Sequence, residues 1–219
     1  MLYLSSLPVN IGGDPNRPRP GRMWVQNPYR VHQRICMAFP DRTAEQHREG
    51  TDRVLFRIEG TPFERVLVQS AREPDWESCF EAAAFLLRDR PQVKKLSYDI
   101  AAGAKLRFLL HANPTRKAKG EAGQNGQRLG ITTPEGQVEW LNRKAARGGF
   151  TVLSVQILSS RMQTARRSKL IDTQPHRHLA VAYAGLLEVT DPAKFGSSLA
   201  AGIGSAKAYG FGLLSIAPA

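Results

Sequence analysis

The order in which strand-like and helix-like segments recur constrains this chain more than any single motif. "LYLSSLPV" alternates apolar and polar residues as a strand does. "GGDPNRPRPGR" behind it is loop material by its Gly, Pro and Asn content. "NPYRVHQRICMAFP" reads as a short helix, with Asn27 as cap, Pro28 in the first turn and Pro40 as stop. "RVLFRIEG" and "ERVLVQSA" are two short strands, separated by Thr61, Pro62 and Phe63 as in a hairpin. "EPDWESCFEAAAFLLRD" predicts one amphipathic helix, its acidic residues in the first turn where the helix dipole favours them. "KKLSYDI" closes the series as a strand, giving βαββαβ.

After Ala101, Ala102 and Gly103 the same order returns. "KLRFLLHANPTRK" is a strand, "GEAGQNGQRLG" a polar glycine-rich loop, and "TPEGQVEWLNRKAARGG" a helix capped by Thr133 and stopped at Gly148. "TVLSVQILS" and "LAVAYAGLLEV" are strands flanking a basic excursion, "DPAKFGSSLAAG" is a helix capped by Asp191, and "GLLSIAP" is the last strand. The expected fold is therefore α+β, two tandem ferredoxin-like domains. Residues 1–101 carry the Tyr-x-x-His helix; residues 102–219 carry a basic hairpin and a glycine-rich loop. The repeat is one of topology, without self-similarity of sequence. A single larger α+β domain is the alternative, disfavoured because the order repeats cleanly. RNA-recognition modules share this topology, but no strand here matches their aromatic-rich motif.

Charge narrows the partners. The formal net charge is +12 over 219 residues, which calls for a polyanion. The positive residues cluster: Arg161, Arg166, Arg167 and Lys169 at the expected hairpin tip, Arg116, Lys117 and Lys119 in "NPTRKAKG", and Arg143, Lys144 and Arg147 on the neighbouring helix. Acidic residues concentrate elsewhere, in "DRTAEQHREG" and "EPDWESCFE". Arginine makes bidentate contacts to phosphate, so a basic hairpin suits a nucleic-acid groove or backbone. No stretch approaches the apolar length of a spanning helix, and "MLYLSSLPVN" lacks the order of a signal peptide, so a cytoplasmic chain without a membrane partner is expected. Cys36 and Cys79, the only cysteines, follow no metal or disulfide pattern.

The ending, "GIGSAKAYGFGLLSIAP", invites a nucleotide-binding reading and fails it. Lys207 lies between Ala206 and Ala208, so the Gly-Lys-Ser/Thr step of a P-loop is missing, and Lys207 stands where a dinucleotide motif needs its third glycine. What remains is a structural turn, or a backbone surface for a larger polyphosphate such as RNA. Gly202, Gly204, Gly210 and Gly212 let backbone approach closely, and Lys207 supplies one cation.

Tyr29 and His32 lie three apart on the first helix and so share a face. Imidazole exchanges a proton near neutral pH, and a phenol orients or donates one. Such a pair suits metal-free cleavage of RNA, in which a 2′-hydroxyl attacks the adjacent phosphate and a cation steadies the developing charge. On spacing alone such a pair is more often packing plus surface than catalysis. His176 and His178 stand two apart as metal ligands can, but no carboxylate or cysteine set completes a site; no metal and no cofactor is expected. His47 reads as surface, and His111 as a sheet residue.

Together these motifs resemble the CRISPR repeat-processing endoribonucleases of type I-E systems, the CasE family. The resemblance runs nearly end to end: "LYLSSL", "PYRVHQ", "VLVQSAREPDW", "LRFLLHANPTRK" and "GIGSAKAYGFGLLSIAP" stand in family order. It implies tandem ferredoxin-like domains that bind the CRISPR repeat RNA hairpin and cut it, without metal, at the 3′ base of the stem. It also implies retention of the product and assembly with other type I-E Cascade subunits. By that likeness His32 is the principal acid/base residue with Tyr29 beside it, and Arg166 and Arg167 engage the stem. Where relatives often have Arg-Ala-Asn-Pro, this chain has His111, Ala112, Asn113 and Pro114. The catalytic helix offers Arg30 and Arg34 as its nearest cations, where certain relatives carry an extra lysine.

Overall fold

In the computed structural model, which describes residues 1–12, 19–40, 53–60, 64–118, 128–166 and 175–219, the alternating N-terminal segment forms β1 (Leu2–Pro8). It lies between β3 (Arg65–Ser70) and β4 (Gln92–Leu96), antiparallel to both, with Ser5 opposite Val68 on one side and Val93 on the other. β2 (Leu55–Glu59) pairs with β3 and completes a sheet of order β2-β3-β1-β4, the ferredoxin-like arrangement. Leu7, Phe56, Val66 and Val68 pack with Val31 and Ile35 of α2 (Pro28–Cys36) in the core. Trp76 is buried there too, and its Nε1–H donates to the buried Ser5 hydroxyl at 2.9 Å, so neither polar group is stranded.

Two helices depart from the expected pattern. The end of the proline-rich stretch assigned to loop opens α1 (Pro20–Val25): Pro20 begins it, where a missing N–H costs nothing, and Trp24 and Val25, just past that stretch, anchor it in the core. The helix expected over 73–89 is instead α3 (Trp76–Phe80) followed by a 3₁₀ segment, Glu81–Leu86, with a kink at Ala83 (φ −138°, ψ 22°). The buried positions Phe80, Ala83 and Leu86 recur every three residues, the 3₁₀ period. Asn10 meets the end of this segment, its main-chain N–H donating to Leu86 O and its side-chain amide to Phe85 O.

The second sheet has the order β10-β5-β9-β8, formed by β5 (Lys105–Ala112), β8 (Phe150–Ala165), β9 (His176–Val189) and β10 (Leu214–Pro218). Its chain order within the sheet repeats that of the first. The strand expected through Lys117 breaks after Ala112, since Pro114 has no N–H to give a ladder. The chain resumes as β6 (Thr115–Lys117), which pairs with β7 (Arg128–Gly130). Thr133 caps α4 (Pro134–Arg147) and Asp191 caps α5 (Pro192–Ala201), each side-chain oxygen accepting from the backbone N–H three residues on. Trp140, Leu141, Phe195 and Leu199 from these helices fill one core with Phe108, Leu110, Tyr183 and Leu187.

The chain divides into two compact units. The first comprises Met1–Tyr98, Thr164–His176 and Lys207–Gly210; the second comprises Asp99–Gln163, Arg177–Ala206 and Phe211–Ala219.

The first sheet holds a buried charge. Arg57, 2 % exposed, donates from Nε to Glu59 Oε1 at 2.8 Å, and Arg65 donates from Nε to Glu59 Oε2 at 2.7 Å. Burial alone would raise the Glu59 pKa, but Arg57 and Arg65 together hold it below the ordinary value of 4.5. Glu59→Gln removes the carboxylate charge that Arg57 and Arg65 share and is expected to cost about 3 kcal/mol in urea unfolding at pH 7. Because the folded-state pKa is the lower one, the stability gap between wild type and Glu59→Gln is full above pH 4.5 and narrows as the pH falls further.

Candidate active site

α2 is set by its first three residues. Asn27 Oδ1 accepts the Tyr29 N–H at 3.2 Å, and Pro28 enters the first turn pre-bent. Pro28, Val31 and Ile35 turn into the core, which leaves Tyr29, His32 and Cys36 on one flank, at spacings of three and four. Tyr29 and His32 are both half-buried, with ring centroids 6.1 Å apart. Phe56 of β2 stacks beside the imidazole at 6.3 Å, the planes inclined by 17°. Cys36 Sγ lies 3.7 Å from His32 Nδ1 and 3.8 Å from Nε2, near-equidistant and so off the lone-pair axis of either nitrogen. The imidazole thus has an aromatic ring and a thiol for neighbours and retains partial access to solvent.

The glycine-rich ending contributes to the same unit. A 3₁₀ turn, Lys207–Tyr209, packs on α2 and β2. Tyr209 meets Tyr29 at 5.8 Å between centroids and His176 at 5.9 Å, giving a row of rings from His32 through Tyr29 and Tyr209 to His176. Gly210 (φ 87°) permits this approach: a Cβ there would stand 3.2 Å from Phe56 Cε2. Lys207, half-buried, opens the turn. Gly204 lies against Trp140, and the Gly212 carbonyl and N–H are bonded to Ile203 N and His111 O. Gly202 ends α5 with φ 75°. Gly204 and Gly210 thus stand where a Cβ would crowd a neighbouring ring.

The remaining site candidates are spread more widely. Asn27, which sequence spacing identified only as a cap, also donates from Nδ2 to the Arg166 carbonyl at 2.9 Å, so one side chain holds both α2 and the basic segment. Arg166 is exposed, as are Arg161 on β8 and Arg116 on β6. Asn113 is 3 % exposed, between β5 and β6. Arg167, Lys169, Lys119 and His47 lie outside the described residues. Of the helix cations, Arg34 donates from Nη1 to Cys79 O at 3.1 Å, while Arg30 is exposed. Cys79 donates from Sγ to Arg34 O, and burial pushes its thiol up to about 11, so it is a structural thiol.

A cluster of cations stands on the second unit. Burial lowers the Lys144 pKa, and the neighbouring charges of Arg147, Arg128 and Arg143 lower it further. Four positive groups gathered in this way favour a bound anion. Among the described residues no three His, Cys, Asp or Glu side chains are grouped as a metal site, and no helix is long and apolar enough to cross a membrane.

Comparison with known proteins places this geometry in a family. Residues 2–218 match the model of a family described as CRISPR associated protein. The chain is 36% identical over 233 residues to the CRISPR-associated endoribonuclease Cse3 of Thermus thermophilus, covering 99% of this chain and all of that one. It is 28% identical over 207 residues to the CRISPR system Cascade subunit CasE of Escherichia coli, covering 90% and 95% of the two chains. A solved structure of Thermus thermophilus Cse3, bound to an RNA representing a pre-cleavage complex, superposes with a TM-score of 0.76 at 32% identity over 99% of each chain. The similarity spans both sheets and all the elements that carry the site, and this chain belongs to the type I-E CasE family of CRISPR-associated proteins.

Proposed function

We propose that this chain is a metal-independent endoribonuclease of the cytoplasm, which binds the stem-loop of a CRISPR repeat and cuts the RNA at the 3′ base of the stem. The observation that carries this reading is the placement of His32: a half-buried imidazole beside Tyr29, accessible from solvent and not sealed in the core. Cleavage proceeds by attack of the 2′-oxygen on the neighbouring phosphorus. The P–O5′ bond breaks as the new bond forms, the 2′-hydroxyl gives up its proton, and the departing 5′-oxygen takes one. The products are a 2′,3′-cyclic phosphate and a 5′-hydroxyl. His32 carries one of these proton transfers, and Tyr29 orients the reacting groups.

Extra negative charge on the phosphate calls for a nearby cation. Lys207 is the candidate, because its turn packs directly on the catalytic helix. Arg34 is a weaker one, its guanidinium already donating to the Cys79 carbonyl. Arg161, Arg166, Arg167 and Lys169, with Arg116, grip the stem through its phosphates, and Asn113 contacts the RNA; A-form RNA has a major groove too deep and narrow for side chains to read. The glycines at 202, 204, 210 and 212 keep the loop around Lys207 thin enough to approach RNA backbone. The cut product stays bound and enters a Cascade complex with its other subunits; the Escherichia coli relative named above is, by its description, a Cascade subunit.

The reading is tested with the repeat hairpin in chelator. Cleavage is expected to proceed, and to fall by roughly 10²–10⁴-fold in His32→Ala. Replacing the scissile 2′-hydroxyl by hydrogen is expected to abolish it. Tight binding of a hairpin that the wild-type protein leaves uncut would assign the protein a scaffold role. Lys207→Ala is expected to weaken hairpin binding and to reduce the slope of log affinity against log salt by about 1; an unaltered slope removes Lys207 from the phosphate.

A further inference from the structure

The second unit contains a cavity of about 490 Å³ that the cleavage chemistry leaves unused. It is walled by Asn113, Arg128, Met162, Arg177, Leu179 and Ser205, among others. Three chemistries meet in it. Arg128 and Arg177 are exposed, and both are permanently charged. Leu179 is buried and Met162 is 51 % exposed, so together they offer an apolar wall that begins in the core and ends in solvent. Asn113 is 3 % exposed, and its Oδ1 has no hydrogen-bond partner among the described residues.

That last observation points to a ligand. Buried polar atoms in folded proteins are nearly always bonded, and those that are not commonly await a group from outside. Oδ1 is an acceptor, so the missing group is a donor. The local backbone explains why the protein does not supply it. β5 ends at Ala112, Pro114 follows with no N–H, and the Pro114 carbonyl is taken by Ile131 N at 3.0 Å. Ser205 is brought to the wall by a turn in which Ala206 holds φ 61°, a left-handed conformation uncommon for a residue with a Cβ.

A donor edge for Asn113, an apolar wall and paired guanidinium groups are together the requirements of one nucleotide. We infer that this cavity holds a single unpaired nucleotide, its base against Leu179 and Met162 with a ring or exocyclic N–H donating to Asn113 Oδ1. The phosphate lies between Arg128 and Arg177. The volume falls within the range of small-ligand sites, and unpaired bases are the part of an RNA whose edges a protein can read. The source is a single-stranded residue flanking the hairpin, an assignment that rests on the ribonuclease reading above.

The test uses the full-length His32→Ala protein, so that RNA stays intact, and follows the Asn113 side-chain amide by NMR in 0.15 M salt. Adenosine monophosphate is expected to shift that resonance saturably. Ribose 5-phosphate, without a base, and adenosine, without a phosphate, are each expected to bind at least 5-fold more weakly. Arg128→Gln and Arg177→Gln, on the exposed rim, are each expected to weaken adenosine monophosphate by about 5-fold without touching the buried asparagine. A hairpin with a four-nucleotide single-stranded extension should displace the mononucleotide, while the blunt hairpin should not. Equal binding of all three small probes, or an unresponsive amide, overturns the nucleotide site; displacement by both hairpins or by neither overturns the transcript as its source. Failure here leaves wild-type cleavage intact, whereas failure of the ribonuclease reading abolishes cleavage and leaves the amide shift in place.

Discussion

The packing of Phe56 against His32 is the contact on which the rest of the candidate site depends. A histidine on a nine-residue helix is free to swing, and proton transfer needs it held. Phe56 is itself wholly buried in the first core, so the imidazole rests on a surface that does not move with solvent. From that ring the order propagates outward, through Tyr29 to Tyr209 and on to His176. A hydrophobic core thereby becomes, within a few ring widths, a polar aromatic edge fit for nucleic acid.

Electrostatics is divided along similar lines. Inside the first sheet, charge is neutralised: Glu59 receives both Arg57 and Arg65, and the buried guanidinium has its counter-ion. On the second unit, charge is left in excess around Lys144, whose pKa is lowered by burial and then by the neighbouring Arg147, Arg128 and Arg143. The repulsion stored in such a cluster is relieved when phosphates arrive, so the cluster favours binding at a cost in the unbound state.

Much of this was legible in the sequence. Alternation and caps marked the strands and most helices, because both signals are local: Asn27, Thr133 and Asp191 each accept the hydrogen bond that their position implied. Where local signals misled, burial had overridden them. α1 opens at the end of a stretch of loop composition because Trp24 and Val25, just past it, are buried. The helix after Asp75 changes to a tighter winding because its apolar residues repeat at three. The candidate site was half visible for the same reason. Tyr29 and His32 are neighbours by helical spacing, but nothing local ties Tyr209 to Tyr29, Asn27 to the Arg166 carbonyl, or Asn113 to a cavity wall. Those relations span tens to hundreds of residues and arise only on folding.

The first compact unit is completed by Lys207–Gly210, four residues at the far end of the sequence from α2. A ribosome making this chain therefore releases the helix bearing His32 long before its packing partner exists. Through nearly all of synthesis the imidazole flank lacks Tyr209, and the nuclease as a whole is finished only with its closing turn.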